Sequence, residues 1–159
     1  MDNATKLLMA TSAANDAETA IIRRLHQTCY AVDGSDLNAW LDCFTTDGVF
    51  SWAPSEGAPL ALDVQGARAL ARWFEQHRSS IAVGTQTHLL LQPVINVAGY
   101  SARALSTYLT LRNFTGEIGI ASSGRYVDDL ILSENGVWRF VSHAAIGGLA
   151  RDPSKLAPQ

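Results

Sequence analysis

The chain has 159 residues, a length that fits one domain with a sizeable core. Hydrophobic residues make up 47% and charged residues 17%, which is typical of a globular protein and argues against extended disorder. The net charge is −3 and no basic block occurs, which argues against nucleic-acid binding. The initial apolar run is too short for a signal peptide, and no stretch approaches the about 20 apolar residues of a membrane span. We therefore expect a cytoplasmic protein that binds no membrane.

The first part of the chain predicts two helices after a short leader. Residues 1–16 are small and polar without clear periodicity, so we interpret them as a flexible leader. From Ala17 onward, apolar side chains recur every three or four residues, which predicts a helix. Gly34 ends this helix. Asp36 is well placed to cap a second helix with the sequence LNAWLDCF.

The remainder predicts mostly strands. A turn at 45–48 leads to a short strand at 49–52, and the stretch 53–66 contains prolines and glycines typical of a loop. A third helix, ARALARWFEQHRSS, follows. The period then changes to two, which predicts four strands at 87–97, 100–112, 119–132 and 137–145. Their short connections, one of them containing Asn-Gly, predict an antiparallel meander.

The predicted order is therefore α-α-β-α-β-β-β-β, an α+β arrangement in one domain over residues 17–146. Residues 147–159 are predicted to be an irregular tail. A curved antiparallel sheet wrapped around helices can enclose a ligand pocket at its concave face. In the strand that begins at Thr87, the odd positions are mostly apolar and need a cover. We therefore expect a homodimer or homotrimer formed through the sheet.

Asp33 and His88 are polar residues that lie among apolar residues of their predicted helix and strand. Asp33 lies one turn beyond Cys29 at the edge of the buried helical stripe, where a carboxylate is costly unless it is paired. Each residue also has a plain structural explanation, a helix-end carboxylate or a packed strand histidine. Together they suggest an acid–base pair, since a carboxylate beside an imidazole fixes its tautomer and stabilises the imidazolium.

Four further residues are candidates for substrate binding. Tyr30 precedes Asp33 by three positions and is a possible donor into the same pocket. Trp52 is a candidate for lining the cavity, and Tyr108 shares a strand face with small residues that leave room for a ligand. Arg125 is a candidate anchor for an anion. The alternatives are core packing for the aromatic residues and a surface ion pair with Asp128 or Asp129 for Arg125.

Several segments together resemble a known family. They are AVDGSD at 31–36, LDCFTTDGVF at 41–50, the Thr87-His88 strand start, GRY at 124–126 and GVWRF at 136–140. In their order and spacing they resemble the SnoaL-like family of the nuclear-transport-factor-two-like superfamily, over about residues 17–146. The resemblance implies a cone-shaped α+β fold, in which three helices close the open side of a bent antiparallel or mixed sheet, and an α+β barrel overall.

The resemblance also implies a chemistry. Asp33 and His88 match the Asp–His pair of scytalone dehydratase and hexachlorocyclohexane dehydrochlorinase, which are lyases that need no cofactor. The implied function is a lyase of the elimination type, or an isomerase, acting on a hydrophobic small molecule of aromatic or polycyclic structure. Two departures stand out: Thr28 replaces a lysine of the dehydrochlorinase, and the strand over 100–112 lacks the second histidine of the dehydratase.

Two other functions remain open. The chain could be a non-catalytic ligand-binding protein or the small subunit of a ring-hydroxylating oxygenase, or a hydrolase in which the pair activates water against an epoxide. The sequence has no metal-ligand spacing and no glycine-rich nucleotide loop, so we expect no metal and no cofactor.

Overall fold

The computed structural model describes residues 3–79 and 85–148. They form three helices and six strands: α1 (Asn3–Asp33), α2 (Leu37–Leu41), β1 (Phe44–Ala53), β2 (Leu62–Gln65), α3 (Ala67–Ser79), β3 (Gln86–Ala98), β4 (Ser101–Phe114), β5 (Glu117–Leu132) and β6 (Trp138–Gly147). The α+β class predicted from the sequence is confirmed. No helix in the described ranges is both long and apolar enough to cross a bilayer.

All six strands belong to one mixed sheet with the order β2-β1-β6-β5-β4-β3. Strands β3 to β6 form the predicted antiparallel meander, because short turns connect each strand to the next. β1 pairs in parallel with β6 and in antiparallel with β2. The sheet has edges at β2 and β3, so the barrel predicted from the resemblance is wrong: the sheet is not closed.

Three local predictions were also wrong. Residues 3–16, predicted as a leader, belong to α1, because alanine and leucine favour a helix that is already formed further along. The predicted turn at 45–48 lies inside β1, where it forms an irregularity opposite β6. The predicted loop at 53–66 contains β2, a strand too short to show a clear period. Most of the predicted tail, from residue 149, lies outside the described residues.

The helices pack on the sheet around Trp40. α1 lies against β3 and β6, α3 lies against β1 and β2, and α2 contacts both of these helices. Asp36 caps α2 as predicted, since its side chain accepts a hydrogen bond of 3.0 Å from the backbone N–H of Ala39. The Trp40 ring is buried against Phe44, Phe50, Trp73 and Phe74 at centroid distances of 4.8–5.9 Å. This aromatic cluster joins α2 and α3 to β1.

Extra residues in two strands reverse which side chains face the core. In β3, two residues stand opposite one residue of β4 between Leu91 and Val94, so Ile95 packs inward and Val94 is exposed. Proline in this segment suits the interruption, because it has no N–H to donate to the ladder. In β6, Val141 has no partner in β5, so both Phe140 and His143 face the core.

Gly124 of β5 gives a test of packing beneath the sheet. A Cβ at this position would overlap the backbone oxygen of Ile146 and lie 2.8 Å from Cε1 of Tyr108. We expect Gly124→Ala to lower the free energy of unfolding by about 1–3 kcal/mol, measured by urea denaturation. Gly119→Ala is the matched control on the same strand, since its Cβ would meet the half-exposed Phe114 ring. Equal stability of both variants would contradict this packing.

The outer face of the sheet has exposed apolar side chains that bear on the predicted homodimer or homotrimer. Leu89, Leu91 and Leu105 are between 39% and 42% exposed in the single chain. We predict that a second copy covers this face, because burying apolar area favours association. Light scattering coupled to size exclusion should give the mass of a dimer or trimer, and Leu105→Arg should reduce it to that of one chain. A monomeric wild-type protein would rule the assembly out.

Candidate functional site

A cavity of about 460 Å³ lies between the sheet and the helices. This volume is within the usual range for small-molecule sites. Its wall is largely aromatic, with Trp40, Phe50, Trp52, Trp73, Tyr108 and Tyr126 among the lining side chains. Its polar groups come from α1, α3 and the four strands of the meander. The cavity can therefore hold a flat apolar molecule against a few well-placed polar atoms.

Asp33 and His88 meet at the edge of this cavity. Oδ1 of Asp33 lies 2.6 Å from Nδ1 of His88, and its Oδ2 accepts a hydrogen bond of 2.8 Å from the backbone N–H of His88. Both side chains are largely buried, at 16% and 13% exposure. An ionised carboxylate only accepts hydrogen bonds, so the ring proton of neutral His88 resides on Nδ1. Nε2 then carries a free electron pair, and His88 lines the cavity.

Gln86 and Arg112 extend this network. Nη2 of Arg112 donates a hydrogen bond of 2.7 Å to Oε1 of Gln86, which orients the amide nitrogen of Gln86 towards His88. That nitrogen lies 3.5 Å from Nε2 of His88, a weak contact that a ligand atom could replace. Nε of Arg112 is buried without a hydrogen-bond partner in the described chain. Arg112 therefore brings a positive charge and an unused donor to the cavity wall.

Two of the predicted substrate-binding residues line the cavity. Trp52 is 39% exposed and Tyr108 is buried. Burial raises the pKa of Tyr108, partly offset by a side-chain hydrogen bond with Trp52. The Tyr108 ring stacks on Tyr126 at a centroid distance of 4.5 Å, and it packs against Gly124, where a Cβ would lie 2.8 Å from its Cε1. Tyr108 is therefore a protonated phenol at neutral pH and can donate a hydrogen bond.

The other two are placed elsewhere. Tyr30 is 76% exposed and does not line the cavity, since it lies about half a turn round α1 from the buried Ile21. Arg125 is also outside the cavity, because its neighbour Tyr126 faces inward and successive strand residues alternate. It forms an ion pair with Glu56 rather than with either predicted aspartate. Neither Tyr30 nor Arg125 therefore lines the cavity, and the predicted entry of Tyr30 into it was wrong.

The structure adds polar groups that the sequence analysis did not select. His143 lines the cavity, and its Nδ1 lies 2.6 Å from Oδ1 of Asp128 of β5. His77 also lines it and stacks on Trp73 at 4.9 Å. Burial lowers the pKa of His77, and the nearby charges of Arg78 and His88 lower it further. The sequence pattern could have identified Asp128 as an inward-facing carboxylate, because it lies on the same strand face as Tyr126 and Leu130.

Cys29 and Thr28 of α1 complete the wall near His88. The Cys29 thiol is unpaired, and burial raises its pKa to about 12, with the carboxylates of Asp33 and Asp128 adding to the rise. A thiol rather than a thiolate is a poor nucleophile. The Thr28 hydroxyl is uncharged, and it donates its hydrogen bond to the backbone oxygen of Arg24. Neither residue supplies the function of a cavity lysine.

The raised pKa of Cys29 predicts slow alkylation. In the native protein at pH 8, iodoacetamide should modify Cys29 on the order of 10³-fold more slowly than a free cysteine, because the thiolate is so scarce. Peptide mass spectrometry separates Cys29 from Cys43, which is also buried. The same protein in urea is the control and should react at both sites. Rapid native modification of Cys29 would show that its thiolate is accessible after all.

The comparisons with known proteins agree with this architecture. The model of the SnoaL-like domain matches residues 13–143. The chain belongs to the SnoaL-like family. No curated protein matches it. Within the described residues, no cluster of three or more His, Cys, Asp or Glu side chains could hold a metal ion.

Solved structures with the same fold include proteins that are described with different functions. A protein of the nuclear-transport-factor-two-like type with a cystatin-like fold, from Novosphingobium aromaticivorans, is 22% identical with a TM-score of 0.77 and 99% of each chain covered. From the same organism, a candidate scytalone dehydratase is 21% identical, with a TM-score of 0.71 and coverage of 87% of this chain and 89% of that one. The β subunit of a candidate aromatic-ring-hydroxylating dioxygenase is 24% identical, with a TM-score of 0.75 and coverage of 87% and 94%. At these identities, the SnoaL-like chain shares their fold.

Proposed function

We propose that this SnoaL-like protein is a cofactor-independent lyase or isomerase that acts on a hydrophobic, aromatic small molecule. The observation that carries the proposal is the Asp33–His88 pair, which presents the free Nε2 of a histidine to an aromatic cavity. The aromatic wall suits a flat substrate, and the described cavity offers few groups other than acids, bases and hydrogen-bond donors. Proton transfer is the chemistry that this set performs best.

In the proposed reaction, His88 removes a proton from a carbon next to a carbonyl group. Asp33 holds the ring in the correct tautomer and stabilises the imidazolium that forms. Negative charge develops on the carbonyl oxygen, where Arg112 and Tyr108 are the candidate donors. The resulting enolate either expels a leaving group from the neighbouring carbon or takes a proton at another carbon. The first outcome is elimination and the second is isomerisation.

Proton removal can be tested before the substrate is known. We expect wild-type protein to exchange the α-deuterium of some members of a panel of deuterated aryl ketones with solvent, followed by proton NMR. His88→Ala and Asp33→Asn should slow this exchange by about 10²–10⁴-fold, because the base or its orienting carboxylate is lost. The matched controls are His26→Ala on α1 and the exposed Asp63→Asn on β2, neither of which lines the cavity. Undiminished exchange by His88→Ala would refute the proposal.

A non-catalytic subunit is the second candidate, favoured by the fold shared with the dioxygenase β subunit. We prefer catalysis because charged groups at a cavity wall cost stability, and a purely structural subunit has no need of them. Copurification with a larger iron–sulfur subunit, together with no exchange activity, would favour the second candidate. An epoxide-type hydrolase remains a variant of the first, and incorporation of ¹⁸O from solvent into the product would identify it.

A further inference from the structure

A second Asp–His pair faces the same cavity. Asp128 of β5 and His143 of β6 are opposite each other in the antiparallel ladder, and Oδ1 of Asp128 lies 2.6 Å from Nδ1 of His143. The Asp128 side chain is fully buried and that of His143 is 6% exposed. Only His143 of the two lines the cavity. Asp128 therefore acts on a bound molecule only through His143.

The surroundings of this pair favour a net neutral state that retains one acidic proton. Oδ2 of Asp128 is buried and has no hydrogen-bond partner within the described ranges, so an uncompensated carboxylate there would be costly. Burial raises the pKa of Asp128, while the neighbouring His143 opposes the rise. The neutral pair is either a carboxylic acid beside imidazole or a carboxylate beside imidazolium. In both states Nδ1 is engaged with Asp128, so Nε2 carries a proton.

The pair at Asp33 presents the opposite polarity. Both oxygens of Asp33 accept hydrogen bonds from His88, so neither is left without a partner, unlike Oδ2 of Asp128. The amide nitrogen of Gln86 lies 3.5 Å from Nε2 of His88, a weak contact that favours an acceptor at that atom. His88 thus offers an electron pair to the cavity, whereas His143 offers an N–H. Two pairs of the same composition therefore present a base and an acid to one cavity.

We propose that His143 is the general acid that protonates a departing hydroxyl group, with Asp128 as its positioning residue. This inference rests on the proposed function and narrows it to dehydration of a β-hydroxy carbonyl compound. His88 takes the α-proton, and the electrons of that C–H bond form the new C=C bond. The C–O bond breaks, and the leaving oxygen takes the proton from Nε2 of His143 and departs as water. Solvent then returns the proton from His88 to the Asp128–His143 pair.

The decisive comparison uses two leaving groups on one carbon skeleton. The probes are 4-hydroxy-4-phenylbutan-2-one, which needs a proton to lose water, and 4-chloro-4-phenylbutan-2-one, which loses chloride without one. Both give the same conjugated ketone, followed by ultraviolet absorbance with the uncatalysed rate subtracted. We expect His143→Gln in the full chain to slow water loss by about 10²–10⁴-fold and to leave chloride loss nearly unchanged. His88→Ala should slow both.

The role of Asp128 has its own readout. In Asp128→Asn the stabilising carboxylate is gone, so the basic limb of the pH profile for water loss should move to lower pH, while the acidic limb, which does not depend on this pair, stays in place. The titratable groups around the pair are Tyr126 of β5, Cys29 of α1, Asp33 beyond them and Asp129 beside Asp128. Burial raises the pKa of both Tyr126 and Cys29, so neither ionises in the neutral range.

The outcomes separate this inference from the function it rests on. If His143→Gln slows conversion of both probes equally, or of neither, the acid role of His143 is overturned. A slower conversion by His88→Ala would still support the role of His88 as the base. Full activity of His88→Ala would overturn both. If His143→Gln does not fold, judged by its thermal transition, the pH profile of Asp128→Asn decides. If the wild-type protein converts neither probe, ¹⁵N NMR of the histidine side chains decides: Nε2 of His143 without a proton at pH 7 overturns the inference.

Discussion

One carboxylate connects the framework of this protein to its chemistry. Asp33 is the last residue of α1, and its two oxygens bind the ring and the backbone N–H of the same residue near the start of β3. The backbone contact fixes where the helix end lies on the sheet, and the ring contact selects the tautomer of His88. A carboxylate in this position would be unfavourable if either contact were lost. The position of α1 and the basicity of His88 therefore depend on the same group.

Most of the architecture follows from patterns in the sequence. The three- and four-residue steps of α1 and the alternation in the last four strands each have a single physical interpretation, since apolar faces must be buried. Asp36 was identifiable as a cap because a helix start needs an acceptor for its free N–H groups. Asp33 and His88 were detectable because each interrupts an apolar pattern. Their contact across 55 positions of sequence came from the family resemblance.

The features that the sequence did not predict depend on strand register and on the direction in which individual side chains face. Tyr30 is close to Asp33 along the chain, but a separation of three residues still leaves it on the outer side of α1. Arg125 is adjacent to an inward-facing tyrosine and so faces outward. β2 is a strand only because β1 offers it an edge, which a single short segment does not reveal. His143 falls outside simple alternation from Phe140, because Val141 is an extra residue in β6.

That extra residue determines which side chains of β6 face the cavity. If Val141 took a regular place in the ladder instead of being an extra residue, every side chain from residue 142 onward would change faces, so Ser142 would face the interior and His143 would face outward. A shift of one residue in the pairing of β6 would thus exchange an imidazole for a hydroxyl at the cavity wall without altering either of them. Within such a family, relatives that pair this strand in a register shifted by one residue can diverge in chemistry while every polar side chain is retained. Their alignment is therefore informative about function only when strand pairing is known.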